Sequence, residues 1–288
     1  MTTPSKNEVY QFDEQHIVVA YIFDEETQEE RGCGIMVTYP GEEFTKQELL
    51  SKMDNDEFYY DYLGQHALSS SSCKKLLQSP YAYHKSLTEK QQNVQALRDG
   101  QLIHLMVLEP HKVEYLTFTD GTKASKEYKL AVEEVGTHNV FTNSEYYKAK
   151  KISERVRNQS DIKAMLDGAE YEIPAIGYYN GLPFRGKADI IQGDTIIDLK
   201  TSAELSAFRY SADKYGYDLQ AWLYLKLFKK DKFVFLVIDK ASTDIGIFDV
   251  SDEFLARGEN KFRQAVDNYK YFFQEENDLD QYVMRGIL

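Results

Sequence analysis

Between Phe184 and Lys200 the chain reads Phe-Arg-Gly-Lys-Ala-Asp-Ile-Ile-Gln, then Gly-Asp, then Thr-Ile-Ile-Asp-Leu-Lys. No other stretch constrains the fold as strongly. Gly193-Asp194 between two strand-like runs signals a two-residue hairpin. With that loop, Gln192 faces Thr195, Asp189 faces Asp198 and Lys187 faces Lys200. Side chains alternate faces with period two, so Lys187, Asp189, Asp198 and Lys200 share one face. Ile190 and Ile197 make the other face apolar. That pins the register, because a slip of one residue turns every side chain over. Two carboxylates opposed across a ladder repel each other. A divalent cation between them removes the conflict, and hard oxygen donors suit Mg²⁺ or Mn²⁺. Lys200 then points into the same space, where it can orient or deprotonate a metal-bound water or stabilise charge on a phosphate. The competing arrangement is a surface lattice in which Lys187 and Lys200 simply neutralise the two acids.

Composition bounds what such a hairpin can belong to. The chain has 288 residues, 42% of them hydrophobic, which suffices for one large domain or two ordinary ones and excludes a wholly disordered chain. It holds no apolar run of the roughly 18 residues a membrane helix needs, and its first residues carry no apolar signal core. No membrane contact or secretion is therefore expected. Cys33 and Cys73 stand 40 positions apart, too sparse for a disulfide scaffold, a cysteine-only zinc site or an iron–sulfur cluster. A reducing cytoplasm is the expected location. The net charge of −13 argues at first against nucleic acid. Its distribution says otherwise: residues 1–66 hold 15 acids and 4 bases, while residues 67–288 sum to only −2.

The expected domains are an acidic N-terminal appendage, 1–66, and a main domain, 67–288. Residues 16–39 read as a β-hairpin with an acidic loop. Thr45-Lys46-Gln47-Glu48 is a capping box for a short helix. Asp54–Tyr62, acidic and aromatic, reads as a linker or docking strip. Leu68-Ser69-Ser70-Ser71-Ser72 opens a helix that Pro80 stops. Residues 94–108, 144–166, 217–229 and 251–273 read as helices. Residues 171–200, 233–238 and 244–250 read as strands. The expected fold class is α/β (α+β), a central mixed sheet flanked by helices.

His104 lies in the apolar run Leu102–Leu108, and Gln220 and Tyr224 form an i, i+4 polar pair on an otherwise apolar helix. Each alone is more ordinary as core than as ligand. Together, Gly100-x-x-x-His104, Gly186-Lys187-Ala188-Asp189, Asp198-Leu199-Lys200-Thr201 and Gln220-x-x-x-Tyr224 resemble, in order and spacing, the RecB-like branch of the PD-(D/E)xK nucleases. Leu68-Ser69-x-Ser71, Ser79-Pro80-x-x-Tyr83 and Tyr217-Asp218-x-Gln220 look closest to RecE-like phage and prophage exodeoxyribonucleases. The resemblance covers about residues 68–273.

That resemblance implies a PD-(D/E)xK nuclease core. Its metal ligands would be Asp189, Asp198, the carbonyl of Leu199 and, as typical of this branch, His104. Lys200 would be the catalytic lysine, and Gln220 and Tyr224 would organise the site and the DNA. Glu172 sits where many relatives place an acid; an edge-strand surface acid is the other reading. The first motif reads Ala-Asp rather than Pro-Asp and the second uses Asp where many relatives use Glu, but neither loses a carboxylate. The implied activity is Mg²⁺-dependent hydrolysis (Mn²⁺ as substitute) of linear double-stranded DNA, 5′-to-3′, in phage-type recombination within a bacterial cell. A ring-shaped homo-oligomer and a single-strand annealing protein as partner are implied too. A Cas4-like single-strand or flap nuclease would need a cysteine cluster that two cysteines cannot supply. A catalytically idle DNA- or protein-binding module has little reason to keep opposed carboxylates.

Gly181-Leu-Pro-Phe-Arg-Gly186-Lys187-Ala188 imitates a phosphate-binding loop. However, Ala188 replaces the metal-holding Ser or Thr and a strand-like run follows, so no ATP binding is expected. Lys123, Lys126 and Lys129, with Tyr128 among them, fit phosphate contacts or a solvated face equally. Lys229, Lys230 and Lys232 read as an exposed turn.

Overall fold

The computed structural model describes residues 18–19, 35–38, 42–89 and 95–283. Strands β1 (Val18–Val19), β2 (Ile35–Thr38) and β3 (Glu42–Thr45) form an antiparallel sheet. The expected hairpin pairing is present, and its acidic loop lies outside the described residues. Helix α1 (Lys46–Lys52) starts at the Thr45 capping box, with the Thr45 and Glu48 side chains each capping the other's backbone N–H. After α1, residues 58–62 form a π-type turn that runs into α2 (Leu63–His66). Next come α3 (Ser70–Gln78) and α4 (Pro80–Thr88). Ser69 caps α3, while Ser79 both ends α3 and caps α4, with Pro80 at the first helical position.

Helix α5 (Gln95–Leu108) precedes strand β4 (Thr117–Thr119), helix α6 (Lys126–Val135) and strand β5 (Val140–Thr142). Strands β4 and β5 pair in parallel. Then follow α7 (Asn143–Asn158) and α8 (Ser160–Leu166), and strands β6 (Glu170–Tyr179), β7 (Leu182–Gln192) and β8 (Thr195–Ser202). Helices α9 (Phe208–Lys214) and α10 (Tyr217–Phe228) lead to β9 (Lys232–Asp239), β10 (Ile245–Asp249) and α11 (Asp252–Tyr269). The single helix expected over 144–166 is two, broken where Gln159 is extended (ψ 122). The run Arg-Asn-Gln-Ser-Asp offers no apolar residue to hold a continuous helix on the core, and Asn and Ser favour caps and turns.

The main sheet has the order β10-β9-β8-β7-β6. β9 is antiparallel to β10 and parallel to β8, and β8 is antiparallel to β7. A parallel β8–β9 pair needs a crossover, which α9 and α10 supply. Pro174 is tolerated because β6 is an edge strand. Residues 181–188, the phosphate-loop imitation, are a turn and the first part of β7, with no helix after them.

The chain divides into two compact units, 1–89 with 174–187 and 260–288, and 90–173 with 188–259. In the second, Leu102, Ile103, Met106 and Val107 of α5 and Ile152 and Val156 of α7 pack on Ile190, Ile197, Leu199, Val234, Leu236 and Ile238. Helix α11 lies so close to α10 that a Cβ at Gly258 would collide with the Asp218 carbonyl. In the first unit, Phe44, Leu49, Met53, Tyr59, Leu63, Ala67 and Ile176 share a core. The segment 54–62 is therefore no linker: Tyr59 is buried while Asp54, Asp56, Glu57 and Asp61 face solvent. Arg185 fastens it to β7 by donating to the carbonyls of Tyr59 and Ala67 and stacking on the Tyr59 ring.

Two outcomes follow from this packing. Gly258→Ala should destabilise the protein by about 1–3 kcal/mol, since backbone must shift to admit the methyl; thermal melts should show a Tm drop of several degrees. Cys73 is fully buried and its thiol is pushed up to about 12 by burial. Native protein treated with iodoacetamide near neutrality should leave Cys73 unmodified in peptide mass spectra, whereas denatured protein should be alkylated there.

Candidate metal centre

Gly100 stands one turn before His104 on α5, and a Cβ there would come within 3.1 Å of Thr201 Oγ1 on β8. Glycine lets the helix approach the strand, and His104 reaches the sheet as a result. Its Nε2 lies 3.0 Å from Asp189 Oδ2 and its Nδ1 lies 3.6 Å from Glu172 Oε1. His104, Glu172 and Asp189 can place ligand atoms all within 4.8 Å of one another. An imidazole and two carboxylates so arranged fit a divalent cation of the Mg²⁺ or Mn²⁺ kind.

The β7–β8 ladder comprises the pairs Gln192–Thr195, Ile191–Ile196 and Ile190–Ile197, as the Gly-Asp turn predicts. It then ends. Beyond it the Asp189 carboxylate accepts from the Leu199 N–H (2.8 Å). The two acids are thereby given different partners. Asp198, 1% exposed, accepts from Gln220 Nε2 at 2.6 Å and forms an ion pair with Lys200. The Lys200 ammonium also sits 5.0 Å from the Tyr217 ring.

Electrostatics follow the partners. Burial works against charge on His104, but the charge and hydrogen bond of Asp189, with Glu172, outweigh it and raise its pKa to about 9. Burial pushes Asp189 up, yet His104, Lys200 and the Leu199 N–H hold it below the usual carboxylate range. Asp198 is raised to about 6, chiefly by burial, with the Asp189 charge adding and Lys200 opposing. Burial lowers Lys200, but Asp198 and Asp189 more than compensate, so it stays protonated.

The profile of the family described as a PDDEXK-like domain of unknown function (DUF3799) matches residues 69–281. The chain belongs to that family. Residues 1–66 lie outside the match. The PDDEXK-like domain has its fold in common with a provisionally assigned exonuclease from Eubacterium rectale: TM-score 0.60, 15% identity, 81% of this chain and 95% of that one. A phage-related exonuclease from Haemophilus somnus 129PT is also similar, at TM-score 0.32 and 15% identity over 73% of this chain and 96% of that one. No curated protein matches the chain.

Within the PDDEXK-like domain the residues singled out from sequence fall into three groups. His104 contacts Asp189, and Asp198 contacts Lys200 and Gln220; the two acids sense each other through their charges. Leu199 joins through its N–H, while its side chain is in the core. Tyr224 is buried among Phe228 and Phe233, with ring centroids at 5.6 and 6.5 Å. Lys187 is paired with Asp56 (3.5 Å) and lies over the Tyr59 ring. Glu172, for which the sequence leaves an edge-strand surface acid as the other reading, lies beside His104. It holds φ 52 within β6, a left-handed conformation rare for a non-glycine residue and the kind retained at functional sites. Its signal was an acid two positions before Pro174, which only the fold brings beside His104. Elsewhere, Tyr128 is buried and Lys123 pairs with Glu145, while Lys126 and Lys129 are exposed.

A metal ion must displace the proton that His104 holds below about pH 9 and that Asp198 retains up to about pH 6. Rising pH removes both protons, so metal affinity should increase with pH. Mn²⁺ should raise Tm more at about pH 8 than at about pH 5, and His104→Ala should abolish most of the shift; thermal melts with and without Mn²⁺ check this. An equal shift at both pH values would contradict the assignment.

Proposed function

We propose that the protein is a metal-dependent deoxyribonuclease, acting as an exonuclease on linear double-stranded DNA. The observation that carries this reading is the cluster of His104, Glu172 and Asp189 with the Lys200–Asp198 pair at its side. Mg²⁺, with Mn²⁺ as substitute, would be held by His104, Glu172 and Asp189, joined by Asp198 and the Leu199 carbonyl. Such a cation supplies Lewis acidity that activates water and offsets charge on a phosphodiester. Lys200, held protonated, would orient the attacking water or neutralise charge developing on the phosphate. Asp198 keeps Lys200 charged and directed, and Gln220 fixes the Asp198 carboxylate from α10. Tyr217 walls the other side of the lysine.

The same reading carries 5′-to-3′ polarity, a ring-shaped homo-oligomer, a single-strand annealing partner and a phage or prophage source, all from the resemblance to RecE-like enzymes. The acidic residues 1–66 are then best suited to docking a basic partner.

Lys200→Ala should reduce cleavage by several orders of magnitude and leave the Mn²⁺-induced Tm shift in place. The assay is a digestion series of linear, nicked and closed circular duplex with Mg²⁺, with and without chelator. Loss of the linear form alone supports the exonuclease. Cutting of closed circles replaces it with an endonuclease, and no cutting with any divalent metal favours a binding module.

A further inference from the structure

Helix α9 and the turn after it carry exposed aromatic and basic side chains: Arg209, Tyr210 (82% exposed), Lys214 and Tyr215 (51% exposed). Gly216, in the left-handed region at φ 61, turns the chain between α9 and α10. Tyr215 and Tyr217 thereby come side by side, with centroids 6.0 Å apart and planes inclined by 38°. Tyr217 is anchored by packing on Phe208 and Phe235 (5.9 and 5.6 Å). Its ring contacts Lys200, while the Lys214 ammonium sits 5.6 Å from the Tyr215 ring. Rings and ammonium groups therefore form a continuous path from solvent to the lysine beside the metal centre.

An exposed tyrosine in isolation needs no explanation. Tyr215 differs because it extends a path that ends where a phosphate is to be bound. We propose that Tyr215, with Lys214 beside it, is a stacking platform for an unpaired base of the DNA strand whose phosphodiester lies at Lys200. This rests on the nuclease reading and adds the substrate class: DNA with single-stranded nucleotides at its end. Bases within a duplex are stacked on each other and cannot offer a face to a side chain, whereas any unpaired base can. Lys214 supplies the cation that tracks the adjoining phosphate. The platform is sequence-tolerant, since every base has a π-face.

The test separates binding from cleavage. Fluorescein-labelled oligo(dT) and a blunt hairpin duplex are titrated, with anisotropy as readout, into full-length Lys200→Ala protein with Mg²⁺. The same protein carrying Tyr215→Ala or Tyr215→Trp is titrated alongside. Tyr215→Ala should weaken oligo(dT) binding about tenfold, as expected for one base–aromatic stack. It should leave blunt-duplex binding unchanged, and Tyr215→Trp should restore oligo(dT) affinity. Equal oligo(dT) affinity with and without the Tyr215 ring overturns the proposal, and so does a matching loss for the duplex. Cleavage by protein with Lys200 intact is scored separately. If that protein cuts no DNA yet oligo(dT) binding depends on Tyr215, the nuclease reading fails and the platform stands. If cleavage depends on Lys200 while oligo(dT) affinity ignores Tyr215, the platform fails and the nuclease reading stands.

Discussion

Two buried carboxylates on adjacent strands cannot both stay ionised unless cations or donors are held against each. Asp189 and Asp198 meet this condition in different ways. Asp189 has His104 and the Leu199 N–H, and Asp198 has Lys200 and the amide of Gln220. The four partners come from three elements: α5, β8 itself and α10. The positions of those elements in the second unit, and the end of the β7–β8 ladder after Ile190–Ile197, are thus tied to the same electrostatic constraint.

The asymmetry between the acids also divides the chemistry. Asp189 is held ionised and stands with Glu172 and His104, their ligand atoms all within 4.8 Å of one another. Asp198 is the more reluctant acid, raised by burial, and it serves Lys200. One carboxylate thus lies in the cluster with His104 and Glu172, and the other against the lysine.

Much of the fold was legible because short-range physics wrote it. The capping box at Thr45 and Glu48, the serine caps at 69 and 79, and the Gly193-Asp194 turn all form as their residue types require. Where expectation failed, packing overrode pattern. The segment 54–62 looks like a charged strip because its acids outnumber its core residues, yet Tyr59 and Leu63 at helical spacing suffice to bury one face. The helix expected over 144–166 breaks at Gln159, in a polar run with no apolar residue to hold it on the core. The lysine at 187 alternates correctly with Asp189, but Asp56 and Tyr59 claim its ammonium.

The sequence by itself determined the hairpin, its register, and which acids, lysine and histidine were candidates for the site. Each of those depends on spacing of a few residues, which a linear string records. Only the tertiary structure decided how they pair. Glu172 lies 68 positions from His104, and Tyr215 reaches Lys200 through Tyr217 only after Gly216 turns the chain. Contacts between distant segments depend on how helices pack on a sheet, and no local periodicity encodes that.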